Sequence, residues 1–188
     1  TGEYNRLMLS MGKFKCLASC FCANKILNTM EIYDFGFLQY IKGGKSALNG
    51  RVYAGCRNTQ EPIRDYALMI NRELYFAKNV DYWGGAVGFV RPEPSKSQTL
   101  GRGYLITEEQ FLDIMAQENN RKPGELGFGF DYAYSESQPV SYLNTTNPGA
   151  PAGGGKLWYG RVLHIGTRES WPVITTTGEW DGYSDVNA

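Results

Sequence analysis

Residues 101–119, GRGYLITEEQFLDIMAQEN, constrain the fold most, because two different periodicities meet there at one sharp boundary. Arg102–Ile106 is rich in β-type residues and reads as a strand. Thr107-Glu108-Glu109-Gln110 then has the form of a capping box, in which the Thr107 hydroxyl accepts from the Gln110 N–H and the Gln110 side chain accepts from the Thr107 N–H. A helix therefore starts near Glu108. Phe111, Ile114, Met115 and Glu118 follow at i, i+3, i+4 and i+7, one face of a 3.6-residue helix. Asn119-Asn120 and Pro123-Gly124 stop it. Glu118 is thus expected in the last turn, a carboxylate on an apolar face. A carboxyl group drawn out of water at the negative end of a helix dipole holds its proton more tightly, which suits proton transfer near neutral pH. The plainer alternative is a frayed last turn from which Glu118 rotates into water.

The other segments read as one mixed α and β domain. Phe14–Ala23 is a short apolar run suited to a buried strand, and residues 24–41 are helix-like. Tyr66–Ile70, Glu73–Ala77, Ala86–Val90, Leu157–Ile165 and Val173–Thr177 carry strand character. Residues 135–156, rich in Ser, Asn, Thr, Pro and Gly, predict a long surface loop, and residues 178–188 a disordered tail. At 188 residues the chain is expected to form a single α+β domain over 1–188, with its core at about 14–177.

Charge narrows the partners. Nineteen basic and nineteen acidic residues cancel, without a run of one sign, so neither a nucleic acid nor an anionic membrane is the expected partner. A small polar molecule is. No apolar stretch approaches the roughly 18 residues of a membrane span, and Lys13 and Lys15 interrupt the only candidate for a leader, so a cytoplasmic protein is expected.

Metal and phosphate chemistry find little purchase. Cys16, Cys20 and Cys22 cluster far from Cys56, in spacings that fit neither a zinc ribbon nor a finger, and His164 is the sole histidine. It lies in a β-like run where a core or edge histidine is the simpler reading. KGGKS at 42–46 and GGGKL at 153–157 resemble phosphate loops, but Gln39 and Ala150 stand where the first glycine belongs. No metal ligand set is assigned and no cofactor is expected.

Four segments in order, FLQYIKGG (37–44), YFAKNVDYWGGAVGFVRP (75–92), GRGYLITEEQFLDIMAQEN (101–119) and YGRVLHIGTRESWPVITTT (159–177), resemble the γ-glutamylcyclotransferase-like family, particularly its bacterial members with an F-L-x-Y-I-x-G-G segment. The resemblance implies a mixed, partly closed β-barrel with surrounding helices. It also implies an enzyme that cyclises a γ-glutamyl amine or peptide to 5-oxoproline and releases the amine, with Glu118, the match to the family's acid/base glutamate, as catalytic residue. The family's Tyr-Gly-Ser-Asn loop has its counterpart in Phe21-Cys22-Ala23-Asn24, which keeps only Asn24. Phe21, Cys22, Ala23 and Asn24, together with Trp83, Gly84 and Gly85, are the expected substrate-binding residues in one cavity with Glu118. A β-bulge beside a core tryptophan is the plainer reading of Trp83-Gly84-Gly85. Because the loop lacks the tyrosine and serine hydroxyls, the alternative is a non-catalytic small-ligand-binding or interaction domain of the same fold.

Overall fold

A computed structural model describes residues 6–11, 37–47, 50–80, 85–127, 140–145 and 157–178. In chain order these form β1 (Arg6–Met11), the helical stretch α1 (37–42), β2 (Gly44–Lys45), β3 (Val52–Tyr53), β4 (Asp65–Ile70), β5 (Leu74–Val80) and β6 (Gly85–Val90). There follow β7 (Thr99–Thr107), α2 (Glu108–Glu118), β8 (Leu126–Gly127), β9 (Val140–Tyr142), β10 (Asn144–Thr145), β11 (Arg161–Arg168) and β12 (Trp171–Thr177). The architecture is α+β.

The main sheet has six strands in the order β4-β7-β1-β12-β11-β9. It is mixed: β1 runs parallel to β12 and antiparallel to β7, and the remaining neighbours are antiparallel. β11 and β12 form a hairpin through Glu169 and Ser170, whose φ angles of 49° and 69° supply the left-handed pair that a two-residue hairpin turn requires. One face of the sheet carries the main core. Tyr104 and Ile106 of β7, Val162 of β11 and Ile174 of β12 pack with Phe111, Ile114, Met115 and Ala116 of α2 and with Phe37, Tyr40 and Ile41 of α1. The Phe37 and Tyr104 rings stack at 3.8 Å.

Three expectations need correction. The sheet begins earlier than residue 14, because β1 at Arg6–Met11 is one of its inner strands. The polar stretch 135–156 is not only loop: β9 pairs with β11 and β10 pairs with β8, since backbone ladders need no apolar side chains at an edge. And among the described residues no closed barrel forms. β4 and β9 are the sheet's two edges, and β5 and β6 pair only with each other. That hairpin instead meets the sheet through the Thr177 hydroxyl, which donates to the Val90 carbonyl at 2.7 Å, and forms a second core from Tyr75, Ala77, Phe89 and Tyr159. The expected strand at 14–23 and helix at 24–36 lie outside the described residues, as does the tail after Gly178.

Under the same hairpin lies a costly group. Arg72, in the turn between β4 and β5, is only 5% exposed, and burial lowers its affinity for its proton. Its Nη2 reaches the His164 carbonyl at 3.5 Å, its Nη1 has no hydrogen-bond partner, and the charge of Glu93 offsets burial only in part. A buried cation with so little compensation costs more than the bond it makes returns. Arg72→Met, of similar length, should therefore raise unfolding stability by about 1–2 kcal/mol. A lowered denaturation midpoint in guanidinium would refute this.

Candidate functional site

Two stripes on α2 build the site. The apolar stripe is as expected, with Phe111 and Ile114 fully buried, Met115 nearly so, and Glu118 emerging half-buried at its end. Beside it runs a polar stripe, Gln110, Asp113 and Gln117 at i, i+3 and i+7, also buried. The polar stripe fastens the irregular segment 55–60, whose backbone groups have no sheet to pair with. Gln110 Nε2 donates to the carbonyls of Asn58 at 3.0 Å and Gln60 at 2.7 Å. Asp113 accepts from the Arg57 backbone N–H at 2.8 Å, from its guanidinium at 3.0–3.1 Å and from the Gly124 N–H at 3.0 Å. Gln117 Oε1 accepts from Gly55 N at 3.1 Å, and its Nε2 donates to the Tyr40 carbonyl at 3.0 Å.

Gln117 thereby brings α1 to the end of α2. The approach is tightened by a backbone contact between Gly43 and Gly55, both with left-handed φ (74° and 82°). A Cβ on Gly43 would stand 2.9 Å from the Ala54 carbonyl oxygen, so the KGG turn admits no side chain there. Cys56 N donates to the Ile41 carbonyl at 3.0 Å and its thiol lies 3.4 Å from the Tyr40 carbonyl. Burial, reinforced by Asp113, pushes that thiol up to about 12, so Cys56 is a packing residue and not a nucleophile.

The consequence is a phenol and a carboxylate in contact at one point. The Tyr40 hydroxyl is hydrogen-bonded to Glu118, and burial first, then the charge of Glu118, drive the phenol far above its ordinary value. Tyr40 therefore stays a neutral donor at any physiological pH. Its ring meets Tyr53 edge-on at 4.7 Å. The Arg51 guanidinium lies over both rings, 4.9 Å from the centre of Tyr53 and 6.0 Å from that of Tyr40, and donates to the Gln117 carbonyl at 3.3 Å. On the far side, Asn119 caps α2 through its backbone N–H on Met115 and Ala116, both at 3.1 Å. Its Oδ1 accepts from Tyr159 N at 3.0 Å, which ties the helix end to the Tyr75–Phe89–Tyr159 core. The end of α2 thus meets two aromatic clusters, Glu118 through Tyr40 and Asn119 through Tyr159.

Of the expected binding residues, Phe21, Cys22, Ala23, Asn24, Trp83 and Gly84 lie outside the described residues. Gly85 opens β6 opposite Val80, and the register shift of that hairpin falls at Ala77/Asn79 on β5. Tyr40, Arg51 and Tyr53 were not among the expected site residues. Tyr40 lies within the recognised FLQYIKGG segment, but nothing in its spacing directs its hydroxyl to Glu118. His164 is 8% exposed on β11, opposite Ile174, consistent with the core reading. Among the described residues no group of three or more His, Cys, Asp or Glu could hold a metal ion, and no helix is long and apolar enough to cross a membrane.

The architecture defines an α+β protein with a half-buried carboxylate at a helix end. Neither a protein-family profile nor a solved structure matches the chain. It is similar to histone deacetylase 5 of Arabidopsis thaliana, 30% identical over 146 residues. That likeness takes in 75% of this chain but 21% of the Arabidopsis protein, so the chain spans about a fifth of that relative's length.

Proposed function

We propose that the protein is a γ-glutamylcyclotransferase-like enzyme, a variant of that fold, which converts a γ-glutamyl amine or peptide to 5-oxoproline with release of the amine. The observation that carries this reading is the Tyr40–Glu118 contact: a carboxylate at the end of a capped helix, held by a phenol that stays neutral, at the position the sequence resemblance assigns to the acid/base. In the reaction Glu118 takes a proton from the substrate's α-ammonium, and the freed nitrogen attacks the γ-carbonyl carbon of the same molecule. A ring C–N bond forms, the bond to the leaving amine breaks, and Glu118 returns the proton to the leaving nitrogen. Nucleophile and electrophile belong to one molecule, so positioning supplies much of the acceleration. A cytoplasmic location with a small γ-glutamyl or amino-acid-like ligand, and no nucleic acid or membrane, belongs to the same proposal.

Incubation with a panel of γ-glutamyl amino acids and amines should yield 5-oxoproline. One sequence feature favours a second reading: Phe21-Cys22-Ala23 lacks the hydroxyls and the glycine of the family's loop, which suits a domain that binds such ligands without turning them over. Its signature is a ligand-dependent rise in melting temperature with no 5-oxoproline.

A further inference from the structure

The residues around Glu118 carry charges of both signs on an aromatic floor. Arg51 is exposed, Glu118 is half-buried, and the Tyr40 and Tyr53 rings beneath them are buried. Arg51 is held by a tight loop: the Ser46 N–H donates to the Arg51 carbonyl at 2.8 Å and the Gly50 N–H to the Ser46 carbonyl at 2.9 Å, with Gly50 at a left-handed φ of 69°. Its guanidinium reaches the carbonyl of the peptide bond that joins Gln117 to Glu118. Cation and carboxylate therefore meet the same tyrosine, the guanidinium 6.0 Å from the Tyr40 ring centre and the carboxylate on its hydroxyl, and the Tyr53 ring 4.9 Å away supports the guanidinium.

We infer that Arg51 and Glu118 together take an α-amino acid head group, Arg51 holding its carboxylate and Glu118 its ammonium. An α-amino acid places these two charges one carbon apart, and a planar guanidinium matches a carboxylate through two parallel N–H donors. Recognition of this kind makes the site selective for γ-glutamyl compounds with a free α-carboxylate, and leaves the amine half of the substrate unread. The inference deepens the cyclotransferase reading and rests on it only for the γ-glutamyl portion of the ligand; the head-group site itself is tested by binding alone.

The experiment pairs calorimetric binding of L-glutamate with steady-state kinetics on γ-glutamyl-alanine and on its α-carboxamide analogue, for the wild type, Arg51→Gln and Arg51→Lys. Arg51→Gln should weaken L-glutamate binding and raise KM by about tenfold or more, with kcat nearly unchanged, because the lost contact is equal in ground and transition states. Arg51→Lys should recover part of the loss, since it keeps the charge and not the fork. The wild type should disfavour the carboxamide by a similar factor, and Arg51→Gln should not discriminate further. Wild-type binding in Arg51→Gln, equal use of the carboxamide, or no binding of L-glutamate by the wild type would each overturn the inference. Arg51-dependent binding without 5-oxoproline would uphold it while removing the cyclotransferase reading. Turnover indifferent to Arg51 would do the reverse.

Discussion

Glu118→Gln should leave the protein folded and lower 5-oxoproline formation by about 10²-fold or more, the usual contribution of a general acid–base group. Glutamine keeps the size of the side chain and an oxygen able to accept from the Tyr40 hydroxyl, so the packing at the end of α2 is preserved. Only the group able to take up and return a proton is lost. The apolar stripe beneath is fully buried independently of the last residue, and the helix end is held by Asn119 on Tyr159, so the variant should melt within about 0.5 kcal/mol of the wild type, as partly exposed substitutions commonly do. Since the proton is moved in the chemical step, kcat should fall and KM should change little. A folded variant with wild-type 5-oxoproline formation would take this carboxylate out of the mechanism.

The sequence disclosed α2 almost completely, because its signals are local. A capping box spans four residues, and both of its hydrogen bonds form at 3.1 Å. The apolar stripe is equally local, and so is the strand character of β4, β7 and β12, whereas β11 starts at Arg161 and not at Leu157 and its hairpin turn carried no signal. What was not legible depends on distant partners. Tyr40 meets Glu118 only because Gln117 binds the Tyr40 carbonyl and two glycine backbones touch, contacts between segments more than 60 residues apart in sequence for the Gln117–Tyr40 and Gly55–Gln117 bonds. The Gln110, Asp113 and Gln117 stripe did carry a signal. Three polar residues at i, i+3 and i+7, beside an apolar stripe, mark either a wet face or a buried one with stationed partners, and composition alone does not separate the two. The segment they fasten contains no secondary structure, so no periodicity announces it. Edge pairing in 135–156 escaped for a related reason: Val140–Tyr142 is too short to display alternation.

The larger stability effect belongs to the middle of that polar stripe. Asp113→Ala should destabilise the fold by about 3–5 kcal/mol, the range for removing one partner of a buried ion pair, which for a chain of this size lowers the melting temperature by on the order of 10 °C. Asp113 has no exposed side-chain surface, whereas Arg57 is half exposed, so the two halves of the pair are not equivalent. Without the carboxylate, the Arg57 and Gly124 N–H groups lose their acceptor in a partly buried setting, each at a cost of about 1–3 kcal/mol, and the guanidinium loses its anchor. Without the guanidinium, in Arg57→Met, the carboxylate keeps both backbone donors and water reaches the vacated side. That variant should cost only about 1 kcal/mol, since solvent screens the exposed half of the pair. The asymmetry is the test. Equal losses from the two variants would mean that the ion pair, and not the backbone clamp, carries the stability. The same clamp holds segment 55–60 against α2 and, through Gly55 on Gln117, steadies Tyr40 against Glu118. Asp113→Ala should therefore also reduce turnover at temperatures where the variant remains folded, although Asp113 itself touches no reacting atom.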